Sequence, residues 1–155
     1  MSKELEVGDE FKKDFNKRRY DLVPTNELLV YISTDPFPEL SVEDAYVGIL
    51  KNLHCDLNIA INYLRSTACK LAIILNYRSE FELITEMADL YTFGVAKYSE
   101  NSWKKLNYLR VINAMGRHME AGYHNIDSDS GKYHALPALW NAVTALWLLE
   151  YGDER

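Results

Sequence analysis

The apolar residues in the central third of the chain recur at steps of three and four without a break. Val42, Tyr46, Ile49, Leu53, Leu57, Ala60, Leu64, Ala68, Leu71 and Leu75 form one such stripe. This spacing returns each side chain to one face of a 3.6-residue helix and conflicts with the two-residue alternation of a strand. It predicts one long helix, or two nearly collinear ones, opening at Ser41 as cap with Asp44 in the first turn. No strand-type alternation is sustained elsewhere, and glycine is scarce, with 7 in 155 residues. The expected fold is therefore an all-α helical bundle.

The other elements follow from stop and start signals. Pro24 precedes a short apolar helix through Leu28, Leu29 and Ile32, and Pro36 and Pro38 mark a loop. Ser79-x-x-Glu82 caps a helix reaching about Lys97, and a loop follows from Ser99 to Lys105. A further helix runs from about Asn107 to Ala121 and stops at Gly122. A polar loop spans Asn125 to Gly131. The last helix carries Ala138 to Tyr151, with Pro137 suited to its first turn and Gly152 as its stop. Residues 1–19 read as a flexible arm, and 20–152 as one helical domain.

Composition narrows the function classes. A hydrophobic share of 48% supports a true core for one domain. The net charge of -6 and the absence of a basic stripe argue against nucleic-acid polymers as partners. The densest basic run, Lys12, Lys13, Lys17, Arg18 and Arg19, reads as a solvated arm. A small anionic ligand stays compatible, because a few arginines or metal ions set the local sign. Cys55 and Cys69 have neither CxxC nor zinc spacing and read as reduced core residues. The charged N-terminus is unlike a signal peptide, and no run nears the ~18 apolar residues of a membrane span. A cytoplasmic protein is expected.

Most of the polar chemistry lies between Phe93 and Asn141. Just ahead of it, Glu82, Glu86 and Asp89 fall at i, i+4 and i+7, so one helix face presents three acids. Glu86 and Asp89, one turn apart, have the spacing to share a hard divalent cation, with a solvated acidic face as the bland alternative. Arg110, Asn113 and Arg117 share a face of the next helix and suit bidentate phosphate contacts, or salt bridges to the acidic helix. His118 follows Arg117; a lone helical histidine is more often structural than catalytic. Asp127, Asp129 and His134 belong to an Asp-Ser-Asp-Ser-Gly loop rich in oxygen ligands, though without EF-hand spacing. Such a loop is also an ordinary turn. Among the aromatics Tyr91, Phe93, Tyr98, Trp103, Tyr108 and Trp140, one or two could stack on a base at ~1–3 kcal/mol each.

The runs RRYDLVP, FGVAKYSENSW, RVINAMGRH and DSDSGKYHALPALWNA, in this order, resemble the phage-associated dATP/dGTP diphosphohydrolase N-terminal-domain family. The resemblance covers residues 17–24 and about 87–150. That family is related to the all-α, MazG-like nucleotide pyrophosphohydrolases, which cut a nucleoside triphosphate between its α and β phosphates using Mg2+ on helical carboxylates. The resemblance implies a Mg2+-dependent purine dNTP pyrophosphohydrolase, with Mn2+ as an alternative ion. It implies metal ligands among Glu82, Glu86, Asp89, Asp127 and Asp129, and catalytic roles for Glu86, Asp89, His118 and His134. It implies nucleotide contacts from Arg19, Lys97, Tyr98, Asn101, Trp103, Arg110, Arg117 and Asn141.

Four departures stand out. Ser102 is inserted before Trp103, Asp129 replaces a usual Glu, Pro137 replaces a usual second histidine, and about fifty apolar, helical residues (29–84) separate two blocks that are normally close. They motivate an alternative from another class, a non-hydrolytic phage protein that sequesters a host nucleotide or immune signal. The apolar surplus of the inserted segment also leads to an expected homo-oligomer.

Overall fold

The computed structural model describes residues 17–152. They form six α-helices: α1 (Thr25–Ile32), α2 (Val42–Asn52), α3 (Leu57–Leu75), α4 (Glu80–Lys97), α5 (Tyr108–Ala121) and α6 (Ala135–Tyr151). Short 3-10 turns cover Tyr20–Leu22 and Ser102–Lys105. The described residues contain no sheet, only a single antiparallel bridge from Ile126 to Tyr133. The expected all-α bundle is what the chain adopts.

The caps behave as the sequence implies. Side-chain oxygens of Ser41 and Ser79 accept from the amides of Asp44 and Glu82, each at 3.1 Å. Asn107 caps α5, and Pro137 sits in the first turn of α6, where its missing N–H costs nothing.

The expectation of a single or collinear helix over 41–75 fails at residues 53–56. Asp56 caps a new helix by accepting from the Ile59 amide at 3.2 Å, and α3 folds back along α2. The unbroken stripe hid the reversal because Leu53 and Leu57, on either side of the break, both pack against the core. Close approach in this hairpin depends on Gly48: a Cβ there would lie 2.2 Å from the Tyr63 ring. Gly116 does the same for α2 on α5. It leaves room for the Tyr46 hydroxyl, which donates to the Ile112 carbonyl at 2.7 Å. Cys55, expected in the core, lies exposed in the α2–α3 link, whereas Cys69 is buried.

α6 is the axis of the bundle. Of its 17 residues 13 are buried, so it is apolar all round, as a central helix must be. α1, α3, α4 and α5 pack on it. Tyr31 of α1 donates to Glu150 at 2.7 Å, closing one end. The loop before α2 is clamped from inside. Lys70 of α3 donates to Asp35 at 2.5 Å, to the Phe37 carbonyl at 2.7 Å and to Ser66 at 3.1 Å.

Of the N-terminal arm, residues 1–16 lie outside the described residues. Its last residues are tied down rather than free. Arg18 binds Asp89 of α4 through two nitrogens, and the Arg19 amide donates to Thr92 at 2.8 Å.

Candidate functional site

α4 organises the site, because its two ends carry different chemistry. Its middle turns present Glu86 and Asp89, both about three-quarters buried. Lys132, from the loop before α6, donates to Glu86 at 2.6 Å and to Asp89 at 2.8 Å. Arg18 adds a fork on Asp89 at 2.5 and 3.2 Å. Burial alone would raise the Asp89 carboxyl, but Arg18 and Lys132 outweigh it and hold the group below the usual carboxylate range. Lys132 spends two protons on these acids; its third has no partner among the described residues.

The C-terminal half of α4 forms one wall of a cleft of about 430 Å³. The turn 98–103 and Trp140 of α6 complete it. Leu90, Tyr91, Gly94, Tyr98, Trp103 and Trp140 give it an aromatic, largely apolar lining, with Ser99, Asn101 and Ser102 as polar points. Tyr91 meets Trp103 edge-on at 5.8 Å and Trp140 at 5.9 Å between ring centres. The Trp103 indole N–H is buried with no acceptor among the described residues, an unmet donor that costs roughly 1–3 kcal/mol. Asn101 holds the turn with φ of 60°, a left-handed conformation that Asn tolerates better than most residues. A Cβ on Gly94 would touch nothing within 4 Å, so this glycine borders open cleft rather than a packed neighbour. Lys97 lies over the rings of Phe93 and Tyr98, at 5.8 and 5.4 Å, near the cleft rim.

The loop 125–134 joins the acidic face of α4 to a third group. The Asp127 amide donates to the Lys132 carbonyl at 2.7 Å, Gly131 to the Asp127 carbonyl at 2.8 Å, and His134 to the Asn125 carbonyl at 2.9 Å. This small hairpin sends Lys132 to α4 and brings Asp127 and His134 to His118 of α5. The Nδ1 atoms of His118 and His134 lie 2.8 Å apart. Donor atoms of His118, Asp127 and His134 all fall within 4.8 Å of one another. Burial pushes the His118 imidazole below its usual range, against the pull of Asp127. Burial would raise Asp127, but bonds from Ser130 hold it low.

The remaining expected residues are dispersed. Among the described residues, Glu82, Glu86 and Asp89 do not form one group with Asp127 and Asp129. Glu82 pairs with Arg78 at 2.9 Å, and Asp129 is exposed. Glu86 and Asp89 are neutralised by Lys132 and Arg18, so the expected Mg2+ pair does not fit as arranged: a hard cation would have to displace two cations already bound. Arg19 is used on Asp21 at 2.8 Å, with Glu100 at 3.6 Å. Arg110 and Arg117 are exposed and make no ion pair among the described residues, so the alternative of salt bridges to the acidic helix is not realised. Asn141 is buried on α6 beside Trp140, which lines the cleft in its place. Lys132 and Arg18 were missed by sequence reasoning. Lys132 had a signal: it sits in the same loop as Asp127 and His134.

The fold defines an all-α helical bundle with an aromatic cleft beside an ion cluster, and sequence comparison gives its family. The family described as dATP/dGTP diphosphohydrolase, N-terminal, matches residues 65–155, and the chain belongs to it. The match takes in the cleft apart from Leu22, the acidic face of α4 and the loop 125–134. It begins within α3, so residues 65–84, expected as part of an insertion, fall inside the family region, while residues 17–24 lie outside it. No curated protein and no solved structure matches the chain. Among the described residues no helix is long and apolar enough to cross a membrane.

Proposed function

We propose that this chain binds a purine deoxynucleoside triphosphate and cleaves it between the α and β phosphates, releasing the monophosphate and pyrophosphate. The observation that carries the reading is the continuity of α4: Asp89, held by Lys132 and Arg18, directly precedes Leu90 in the cleft wall. A base stacks in the cleft, against Tyr98 and Trp140, at ~1–3 kcal/mol. The phosphates reach Lys132, Arg18 and Lys97, whose charge offsets theirs. As the two cations turn from carboxylate to phosphate, Glu86 and Asp89 are released to accept a proton. The attacking water gives that proton to one of them, its oxygen bonds to the α-phosphorus, and the bond to the bridging oxygen breaks with pyrophosphate leaving. No step is routed through Mg2+, whose expected ligands are paired as described.

A second reading has its own support. With Glu86 and Asp89 both cation-bound, neither carboxylate is free to act as a base at rest, which suits a protein that holds a nucleotide without cutting it. Incubation with a panel of nucleotides, with and without divalent ions, followed by chromatography, separates the two. Monophosphate and pyrophosphate mark the hydrolase, and intact retained triphosphate marks the sequestering protein. Recovery of neither product nor retained nucleotide sinks both. We also propose a homo-oligomer, supported by the exposed Val30, Ile73 and Phe81 at 56, 67 and 68%; a monomeric mass by light scattering would refute it.

A further inference from the structure

We propose that His118, Asp127 and His134 form a binding site for a divalent transition metal, of the Mn2+, Fe2+, Co2+ or Zn2+ class, rather than for Mg2+. The inference stands on these three side chains and does not depend on the nucleotide reading.

Two imidazole nitrogens at 2.8 Å allow two states only. Either one donates an N–H to the other, or both turn lone pairs toward a shared cation. Two ligands on one metal at about 2.1 Å each lie about 3 Å apart at a right angle and about 3.4 Å apart at a tetrahedral one, so the two nitrogens need part by only a few tenths of an ångström to ligate one ion. The two imidazoles and the Asp127 carboxylate form a set of two nitrogens and one oxygen. Mg2+ prefers oxygen and retains its water, whereas imidazole selects transition metals. Three protein ligands leave open positions for water or a phosphate oxygen.

The supporting structure is that of an ordered site. Asp127 Oδ2 accepts from the Ser130 hydroxyl at 2.7 Å and its amide at 3.3 Å. Bonds of this kind are the outer-shell arrangement that orients metal-binding carboxylates. The loop's three backbone bonds fix Asp127 and His134 relative to each other, and α5 fixes His118. With neutral histidines the trio carries one negative charge, which a divalent cation complements. Arg117, adjacent to His118 in sequence and exposed, is a positive charge that acts on it.

The test uses the metal alone. Purified, chelator-treated protein is titrated with Co2+, and its visible d–d absorption is followed. The expected result is a spectrum that saturates at one equivalent per chain, is abolished by excess Zn2+ and survives millimolar Mg2+. Asp127→Asn and His134→Ala should each weaken Co2+ binding at least tenfold and lose the metal-induced rise in melting temperature. Glu86→Gln should keep both. Far-UV circular dichroism checks that each variant is folded; should His134→Ala unfold, Asp127→Asn carries the test. No saturable spectrum in the wild-type chain, or binding lost in Glu86→Gln and kept in the folded Asp127→Asn, would overturn the proposal.

Discussion

Two clusters in this molecule set a lysine against carboxylate, and they differ in what surrounds them. Around Lys70 the side chains of both partners are about nine-tenths buried. All three ammonium protons are used, and Ser66 closes the ring by donating to Asp35 at 2.6 Å. Around Lys132 the side chains are about a quarter exposed, two carboxylates compete for one lysine, and one ammonium proton has no described partner. The first cluster is saturated and buried, so a ligand has nothing to exchange with. The second is unsaturated and reachable, so a phosphate can take the place of a carboxylate. The proposed function rests on the second cluster for this reason, since charge alone does not distinguish it from the first.

The largest effect expected from breaking this contrast is at Lys70. Lys70→Met leaves Asp35 buried and unpaired and should lower stability by roughly 3–5 kcal/mol, measured by urea denaturation. A loss below about 1 kcal/mol would remove the distinction between the clusters.

The cleft gives the next effect. Gly94→Leu projects a side chain into space that no protein atom occupies. Nucleotide affinity should fall at least tenfold, with the circular dichroism spectrum unchanged. Unaltered affinity would place the ligand elsewhere.

The pH dependence sharpens the comparison further. Burial pushes Asp35 upward, but Lys70 and Ser66 hold it below the usual carboxylate range, and Asp89 is likewise held low. A carboxyl depressed in the folded state stabilises above its unfolded pKa of about 3.9 and loses that contribution as pH falls through its lower folded value. The carboxyl contribution should therefore be flat from neutral pH to about 4 and decline below, on top of an earlier loss that sets in below about 6.5, where the unfolded chain protonates His118 more readily than the folded one. In Lys70→Met, burial of Asp35 is opposed only by the Ser66 hydroxyl and the Phe37 amide, so the decline should begin at higher pH. Coincident acid limbs in the two proteins would contradict this. The smallest effect is at Gly94→Ala, which should raise stability by about 0.5–1 kcal/mol through helix propensity.

Much of the fold was legible in the sequence because helices announce themselves locally. Ser41, Ser79, Asn107, Gly122 and Pro137 each fixed an element end by chemistry that acts within a few residues. The hairpin of α2 and α3 was not legible, because a stripe that faces one core reads the same whether the helix continues or reverses. The site was legible in its parts. Tyr98, Asn101 and Trp103 line the cleft, and His118, Asp127 and His134 meet. The partners of Glu86 and Asp89 were not legible, since Lys132 is 43 residues from Asp89 and Arg18 is 71. Such pairings are made by the fold and leave no spacing to read.

Titration calorimetry of dGTP and dATP into the wild-type chain and Lys132→Ala tests the central claim most directly. The wild-type chain should bind at least one of them. Lys132→Ala should lose charge-assisted contacts worth about 1.5–3 kcal/mol, tenfold or more in affinity, while its urea midpoint changes little because the pair is partly exposed. Equal affinity in the two proteins, or no binding of either nucleotide by the wild-type chain, would contradict a phosphate site at Lys132.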